Sequence, residues 1–251
     1  MKVVVVGASS GLGRALAVGL GQRDHDVALL ARRVDRLERA VDEIGDRAHA
    51  IACDVTDEVG CHGAIEAAAA ALGGIDALVY STGLAVLNRI EALTAADWNR
   101  VLGTNLVGAS LATAAALPHL RASSGCAIYF SSVSASMTPP WPGLAAYITS
   151  KAALDKLIDA WRVEHHDVGF TRLIVGDTSG GEGESMTGFI DEWDPDLRAE
   201  FGMQWYAKGY IAGALFHVDE LVGSVEHVIG LGSSAVIPSI TVMPRVPRNE
   251  G

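Results

Sequence analysis

The chain has 251 residues, 49% of them apolar, which is enough to bury a hydrophobic core without the help of a metal or a disulfide. Its net charge of -11 and its lack of a basic block argue against a nucleic-acid partner. The cysteines and histidines lack metal-site or disulfide spacing, and the start MKVVVVG is too short for a signal peptide or a membrane span. We therefore expect a cytoplasmic protein with no structural metal and no membrane partner.

Short apolar runs alternate along the chain with longer segments of helical periodicity. Most of the runs are continuously apolar, as strands covered on both faces are. The predicted strands are residues 2–6, 26–31, 48–53, 75–80, 126–131, 170–175 and 240–243. This alternation predicts an α/β fold, a Rossmann-type doubly wound parallel sheet of about seven strands with helices on both faces. We expect residues 1–251 to form one domain.

Two regions break this alternation, residues 137–143 and residues 177–207. Each follows a predicted strand, and ligands of doubly wound sheets bind beyond the carboxyl ends of the strands. Both regions are therefore candidate substrate walls. We expect residues 177–210, which begin with the glycine-rich run DTSGGEGE, to form a substrate loop or lid.

The first predicted strand leads directly into the run GASSGLGRALA, where three glycines have GxxxGxG spacing. Glycines let backbone amides approach a pyrophosphate closely, and a helix N-terminus adds partial positive charge there. A tight turn alone would also use glycine, but the position between first strand and first helix favours a dinucleotide site. The candidate phosphate-binding residues are Gly7, Ser9, Ser10, Gly11, Leu12 and Gly13.

The second predicted strand ends in ALLARRVDRLE, with Arg32 and Arg33 where an NAD-binding protein has an acid. Guanidinium groups bind a 2'-phosphate, which a carboxylate at the same place would repel. The alternative is that both arginines are solvated charges, although cations are unfavourable near a helix N-terminus. The sequence therefore favours NADP(H) over NAD(H) as the cofactor.

The run YITSK places Tyr147 and Lys151 four residues apart, on one face of a predicted helix. Together with GxxxGxG, this YxxxK pattern resembles the short-chain dehydrogenase/reductase family, of the NADP-preferring type, and the resemblance extends along the whole chain. Val6 stands where the family has a threonine. The resemblance implies an oxidoreductase that interconverts a ketone or aldehyde and its alcohol, with Tyr147 as general acid and base.

The resemblance also implies roles for residues outside these two motifs. Ser132 would hold the substrate oxygen, and Asn105 would fix a water molecule leading to the lysine. Ser134 has the commoner spacing from the tyrosine, but it lies past the strand end. Purely structural roles are the alternatives for Ser132 and Asn105. Asp54 and Val55, after the third strand, would lie beside the adenine ring.

Two family motifs are altered. YSTG replaces NNAG, so that Gly83 is kept while the hydrogen bonds of both asparagines must come from Ser81, Thr82 or water. After the sixth strand, IVGDTSGG replaces a PG pair followed by a threonine. We expect Val175 or Thr178 to reach the nicotinamide amide group.

Proton transfer by Tyr147 requires a change in its pKa, since an isolated phenol has a pKa of about 10. The Lys151 ammonium and the positive ring of an oxidised nicotinamide would both favour the phenolate. We therefore expect Lys151 and the cofactor to lower the pKa of Tyr147. Lys151 would also bind the nicotinamide ribose.

The region after the sixth strand is rich in aromatic and sulfur-containing side chains, which favour an apolar carbonyl or alcohol substrate if they line the pocket rather than the core. The set is Trp141, Met186, Phe189, Trp193, Phe201, Met203, Trp205 and Tyr206.

The family resemblance implies a homodimer or homotetramer through the small-residue segment 106–117. Two alternative functions remain, an epimerase or dehydratase on the same fold and an NADP(H)-binding sensor without turnover.

Overall fold

The computed structural model describes residues 1–179, 181, 189–211 and 213–245. Within them, seven strands form one parallel sheet in the order β3-β2-β1-β4-β5-β6-β7, which confirms the predicted fold. The strands are β1 Lys2–Val6, β2 Asp26–Ala31, β3 Ala48–Ala52, β4 Ala77–Tyr80, β5 Cys126–Ser132, β6 Gly169–Val175 and β7 Ser239–Val242.

Helices cover both faces of the sheet. They are α1 Gly11–Gly21, α2 Val34–Ile44, α3 Glu58–Leu72, α4 Ala95–Leu102, α5 Gly108–Ser123, α6 Val133–Ser136, α7 Ala145–Glu164, α8 Pro195–Ala207 and α9 Val218–Ile229. Val3 and Val5 of β1 pack with α1, α2 and α9, whereas Val4 and Val6 pack with α3, α5 and α7. Burial on both faces explains why the first strand is an uninterrupted apolar run.

The strand order reverses beside β1, which pairs with β2 on one side and β4 on the other. A crevice at the carboxyl ends of the strands is the ligand position of such sheets. On the far side of β4, β5 ends at Ser132, opposite Val175 of β6. The residues predicted to be functional therefore gather along one edge of the sheet.

The expectation that residues 177–207 are irregular is wrong for their last part, which forms α8. The Asp194 carboxylate accepts hydrogen bonds from the amides of Asp196 and Leu197, and Pro195 occupies the first turn. These are ordinary features of a helix start. The sequence of α8 shows little helical periodicity of apolar residues, because the helix buries few side chains, chiefly Phe201 and Trp205.

The helical run Ala95–Ser123 is long and apolar enough to cross a membrane by length and composition. It contains α4, α5 and, between them, a wider π turn at Gly103–Val107. In the fold, α5 packs against α3 and the sheet, and 44% of the most apolar window is buried. These contacts are those of a helix that packs in the core of the fold.

Tyr80, at the first position of the altered YSTG motif, ties β4 to this π turn. Its side chain is fully buried, and its hydroxyl donates a hydrogen bond of 2.5 Å to the carbonyl of Thr104. A Cβ on Gly108 would lie 2.7 Å from the same hydroxyl, so α5 can approach only with glycine there. The tyrosine thereby supports the turn that carries Asn105.

We predict that Tyr80→Phe and Tyr129→Phe each lower the free energy of unfolding by about 1 kcal/mol, because each removes one buried hydrogen bond. Tyr129 is the matched control, since it is the register partner of Tyr80 and its hydroxyl bonds Thr113 at 2.7 Å. Only Tyr80→Phe should also loosen the π turn. Chemical denaturation measures the first effect, and hydrogen exchange of the peptide covering residues 102–108 measures the second. Equal exchange of that peptide in both variants would contradict the assigned contact.

Candidate active site

The glycine-rich turn fits tightly between β1 and β4. Gly7 has a φ of +94°, and a Cβ at this residue would lie 2.7 Å from the Thr82 hydroxyl oxygen. A Cβ on Gly13 would lie 2.4 Å from the carbonyl oxygen of Gly7 and 2.3 Å from the Ser81 hydroxyl. The start of α1 is thereby held at the ends of both strands. Its position fits the pyrophosphate of a dinucleotide, since the amide end of α1 faces the strand ends.

Arg33 lies against this turn. Its Nη2 donates hydrogen bonds to Ser10 Oγ at 2.8 Å and Ser9 Oγ at 3.1 Å. Burial lowers the pKa of Arg33, and the nearby guanidinium groups of Arg36 and Arg32 lower it further. Sequence reasoning missed Arg36, although its spacing of three residues from Arg33 on α2 was a usable signal. The donor set fits a phosphate bound beside the turn.

Ser81 supplies a hydrogen bond that the altered NNAG motif requires. Both its hydroxyl and its amide donate to the carbonyl of Val6, at 2.7 and 3.0 Å.

At the end of β3, Asp54 accepts hydrogen bonds from the amide and hydroxyl of Thr56, which lower the pKa of Asp54. Val55 is buried beside Gly108. Asp54 and Val55 thus both lie at the carboxyl end of the sheet.

The structure brings together Ser132, Tyr147, Lys151 and Gly83. Tyr147 lies in the first turn of α7, close enough to Ser132 at the end of β5 for the serine hydroxyl to act on the pKa of the phenol. Lys151 lies one turn later, where its Nζ donates to the carbonyl of Phe130 at 2.7 Å. This Nζ is 5.9 Å from the Tyr147 ring centre and 3.7 Å from where a Cβ on Gly83 would lie. Sequence reasoning missed the Phe130 carbonyl, because backbone partners leave no residue-type signal.

Ser132, rather than Ser134, is the serine that contacts Tyr147. Ser132 caps α6 by accepting a hydrogen bond from the Ser134 amide at 3.2 Å. The two serine hydroxyls are 2.9 Å apart. Ser134 therefore helps to fix the position of the Ser132 hydroxyl through these two contacts.

Burial raises the pKa of Tyr147 to about 12, and the hydrogen bond with Ser132 acts in the opposite direction. The chain alone thus shifts this pKa against the direction expected from the sequence, because burial is the largest of its causes. Burial also lowers the pKa of Lys151 to about 8, while the charge of Asp155 raises it. At neutral pH the chain itself holds a neutral phenol beside an ammonium group.

The Asn105 side chain anchors the backbone after β4. It is fully buried in the π turn, where its Oδ1 accepts from the Leu84 amide and its Nδ2 donates to the Leu84 carbonyl, both at 2.8 Å. Nδ2 also donates to the Ser150 hydroxyl at 2.9 Å, and that hydroxyl donates to the Tyr147 carbonyl at 2.6 Å. These contacts match the structural alternative for this side chain. They connect the loop beside Gly83 to the first turns of α7.

Val175 and Thr178 lie differently at the end of β6. Val175 is buried and is the register partner of Ser132. The hydroxyl of Thr178 donates to the carbonyl of Phe216 at 3.2 Å. Residues 180 and 182–188, which include Met186 and half of the glycine-rich run, lie outside the described residues.

An aromatic wall covers Tyr147; its members are Trp141, Phe189, Trp193, Phe201, Trp205 and Tyr210. Phe189 meets the Tyr147 ring edge-on, with ring centres 5.3 Å apart. Trp193 Nε1 donates to the Ala85 carbonyl at 3.2 Å. The interpretation that Met203 and Tyr206 belong to this set is wrong, since they are 69% and 72% exposed.

Ion pairs hold the α8 region against the rest of the fold. Arg89 bonds Glu200 at 2.7 Å, and Arg100 bonds Glu192.

A cavity of about 740 Å³ opens beside this region, separate from Ser132 and Tyr147. Its lining residues are Ile190, Asp191, Trp193, Pro195, Arg198 and Ala199. Among the residues that the structure describes, no group of three His, Cys, Asp or Glu side chains is placed to hold a metal ion.

Comparison with protein families gives a match to the short chain dehydrogenase model over residues 1–176. An uncharacterised oxidoreductase of Staphylococcus saprophyticus is 30% identical over 76% of this chain and 78% of its own length. The 3beta-hydroxysteroid dehydrogenase 1 of Eggerthella lenta is 32% identical over 66% of each chain. The meso-2,3-butanediol dehydrogenase of Serratia marcescens is 32% identical over 65% of this chain and 64% of its own.

Solved structures share the fold at lower identity. An alcohol dehydrogenase from Thermococcus sibiricus, complexed with 5-hydroxy-NADP, has a TM-score of 0.80 at 23% identity and covers 99% of this chain and 98% of its own. A 3-ketoacyl-(acyl-carrier-protein) reductase from Brucella melitensis, complexed with NADH, has a TM-score of 0.79 at 23% identity and covers 96% and 95%. These neighbours carry either type of nicotinamide cofactor.

Proposed function

The chain belongs to the short-chain dehydrogenase family, and we propose that it uses NADP(H) to interconvert a ketone or aldehyde and its alcohol. Its general class is that of a nicotinamide-dependent oxidoreductase acting on alcohol or carbonyl groups. One observation carries the proposal. The Tyr147 phenol lies beside Ser132, one helical turn before a buried Lys151 whose amine bonds the Phe130 carbonyl on the strand that ends at Ser132.

A nicotinamide cofactor, when bound, donates or accepts the hydride. In reduction, the neutral Tyr147 phenol gives its proton to the carbonyl oxygen, which the Ser132 hydroxyl orients by a hydrogen bond. The Lys151 ammonium supplies positive charge beside the phenol oxygen as negative charge develops there. In oxidation, the same phenol must first lose its proton so that the phenolate can accept the proton of the alcohol.

The arginines beside the glycine-rich turn support NADP(H). Arg33 already bonds Ser9 and Ser10 of the turn, and Arg32 and Arg36 add positive charge nearby. A 2'-phosphate would find bidentate donors there. The cofactor would be held along the glycine-rich turn, the ends of β2 and β3, Gly83, Tyr147, Lys151 and the end of β6.

The aromatic wall supports a neutral, apolar substrate. Phe189 packs edge-on against Tyr147, and Trp193 packs against Phe189, so a substrate reaching the phenol would contact aromatic rings. The whole chain would act as one domain. A homodimer or homotetramer in the cytoplasm is proposed from the family resemblance, and the exposed Val107 beside α5 is consistent with such contacts.

We predict that Tyr147→Phe reduces turnover by about a hundredfold to ten-thousandfold, because general acid and base catalysis is lost while the ring is kept. The measurement is cofactor consumption with ketones, aldehydes and alcohols found active in a screen of the parent protein. Tyr206→Phe is the control, since Tyr206 is 72% exposed on α8 and should leave turnover unchanged. NADPH binding should survive in both variants. Unchanged turnover in Tyr147→Phe would exclude the proposed acid, and the absence of turnover in the parent would favour the sensor alternative.

We predict that Arg33→Gln weakens NADP(H) binding by about tenfold to a hundredfold, because hydrogen bonds to a charged group are worth about 1.5–3 kcal/mol. NAD(H) binding should change little. Arg47→Gln is the control, because Arg47 pairs with Asp24 and Asp26 at the opposite end of β2. Calorimetric titration of each variant with both cofactors provides the comparison. Tighter binding of NAD(H) than NADP(H) to the parent protein would contradict the proposed preference.

A further inference from the structure

Lys151 lies at one end of a row of alternating charges that continues along α7 and onto β6. We call it the α7 charge row; its members are Lys151, Asp155, Arg172, Asp159 and Arg162. Arg172 Nη1 lies 3.3 Å from Asp155 Oδ2, and Arg172 Nη2 lies 3.9 Å from Asp159 Oδ1. Arg162 Nη1 bonds Asp159 at 2.8 Å. The row starts at the active site and ends on the half-exposed side of α7.

Asp155 is the deeply buried acid of this row. It is only 5% exposed, and within the described residues neither of its carboxylate oxygens has a hydrogen-bond partner. A buried carboxylate without hydrogen bonds is costly unless nearby charges compensate it. Arg172 provides one such charge from β6. The arrangement leaves the carboxylate able to act on a second cation.

That second cation is Lys151, which precedes Asp155 by one helical turn on the same face of α7. Lys151 is 3% exposed, and its Nζ hydrogen-bonds a neutral group, the Phe130 carbonyl. Burial disfavours the charged form of an amine, whereas a carboxylate one turn away favours it. The pKa of Lys151 reflects both effects, with burial the larger of the two.

The other described titratable groups around Lys151 do not supply the negative charge that Asp155 supplies. Tyr129 on β5 is fully buried and Tyr147 on α7 is partly buried, and loss of solvent raises the pKa of each phenol, which keeps both neutral. Arg172 on β6 pairs with Asp155 and, as a cation, cannot favour the ammonium. Among the described residues packed around this amine, Asp155 is the carboxylate that favours its charged form.

We propose that Asp155 is a positioning residue that maintains Lys151 as an ammonium group and so sets the upper pH limit for proton transfer by Tyr147. The effect on Lys151 rests on the burial of both side chains one turn apart on the same face of α7. Its consequence for catalysis rests on the proposed function. Loss of the carboxylate would let Lys151 lose its proton at a lower pH, and the positive charge beside Tyr147 would disappear with it.

The direct test is a pH titration of Lys151 in the full-length protein labelled with ¹³C at the lysine ε-carbon. The chain has only four lysines, Lys2, Lys151, Lys156 and Lys208, so Lys151→Met assigns the resonance. Asp155→Asn should lower the Lys151 midpoint by about one pH unit, the usual effect of removing a nearby opposite charge. Asp159→Asn is the matched control, because its side chain is 38% exposed and it contacts Arg162, Arg172 and Lys156 rather than Lys151. It should move the midpoint far less.

Arg172→Gln provides the opposite test, because it removes the cation that competes for Asp155. It should raise the Lys151 midpoint. If Asp155→Asn does not fold, the double variant Asp155→Asn/Arg172→Gln removes both partners of the buried pair and should lower the midpoint relative to Arg172→Gln alone. A Lys151 midpoint that stays in place in folded Asp155→Asn, or that fails to rise in Arg172→Gln, would overturn the proposal.

Enzyme kinetics separate this proposal from the proposed function. In Asp155→Asn, the basic limb of the pH profile of kcat/KM for carbonyl reduction should move down by the same amount as the lysine midpoint. A purely structural role would lower the rate equally at every pH, which would contradict the catalytic part. If the parent protein turns over no carbonyl substrate, the proposed function fails, whereas the lysine titration still tests the effect of Asp155.

Discussion

The placement of Tyr147 and Lys151 on successive turns of α7 is the constraint on which the whole site depends. The phenol meets Ser132 at the end of β5, and the amine meets the carbonyl of Phe130 two residues earlier on the same strand. One helix and one strand therefore hold an acid, a cation and a hydrogen-bonding hydroxyl in fixed relation. A shift of α7 along β5 would break both contacts together.

The surrounding elements hold this helix and strand at the edge where a dinucleotide would lie. The glycine-rich turn allows α1 to start directly beside the ends of β1 and β4. The π turn places Asn105 so that it binds Leu84 and Ser150 at once, joining the loop after β4 to α7. Tyr80 stabilises that turn in place of the asparagine that the family usually has. The altered motif YSTG therefore still supports the fold, and it does so through the tyrosine side chain.

The sheet could be predicted from the sequence because its strands are buried on both faces and read as continuous apolar runs. Arg33 and the glycine-rich turn could be predicted as phosphate-binding candidates because their residue types and spacing indicate that chemistry. Helix α8 was missed because it buries few side chains. The direction of the Tyr147 pKa was missed because burial by Phe189 and its neighbours comes from residues distant in sequence. The Phe130 carbonyl could not be predicted at all, because any residue supplies a carbonyl.

The central claim is that the chain alone holds Tyr147 as a neutral phenol and that positive charge is needed to ionise it. A pH titration by NMR with ¹³C at the tyrosine ζ-carbon measures this directly, since the chain has only five tyrosines and Tyr147→Phe assigns the resonance. The account predicts a Tyr147 pKa of about 12 in the protein alone and a lower value once NADP⁺ is added. A phenolate already present near neutral pH without cofactor, or a pKa that NADP⁺ leaves unchanged, would contradict it.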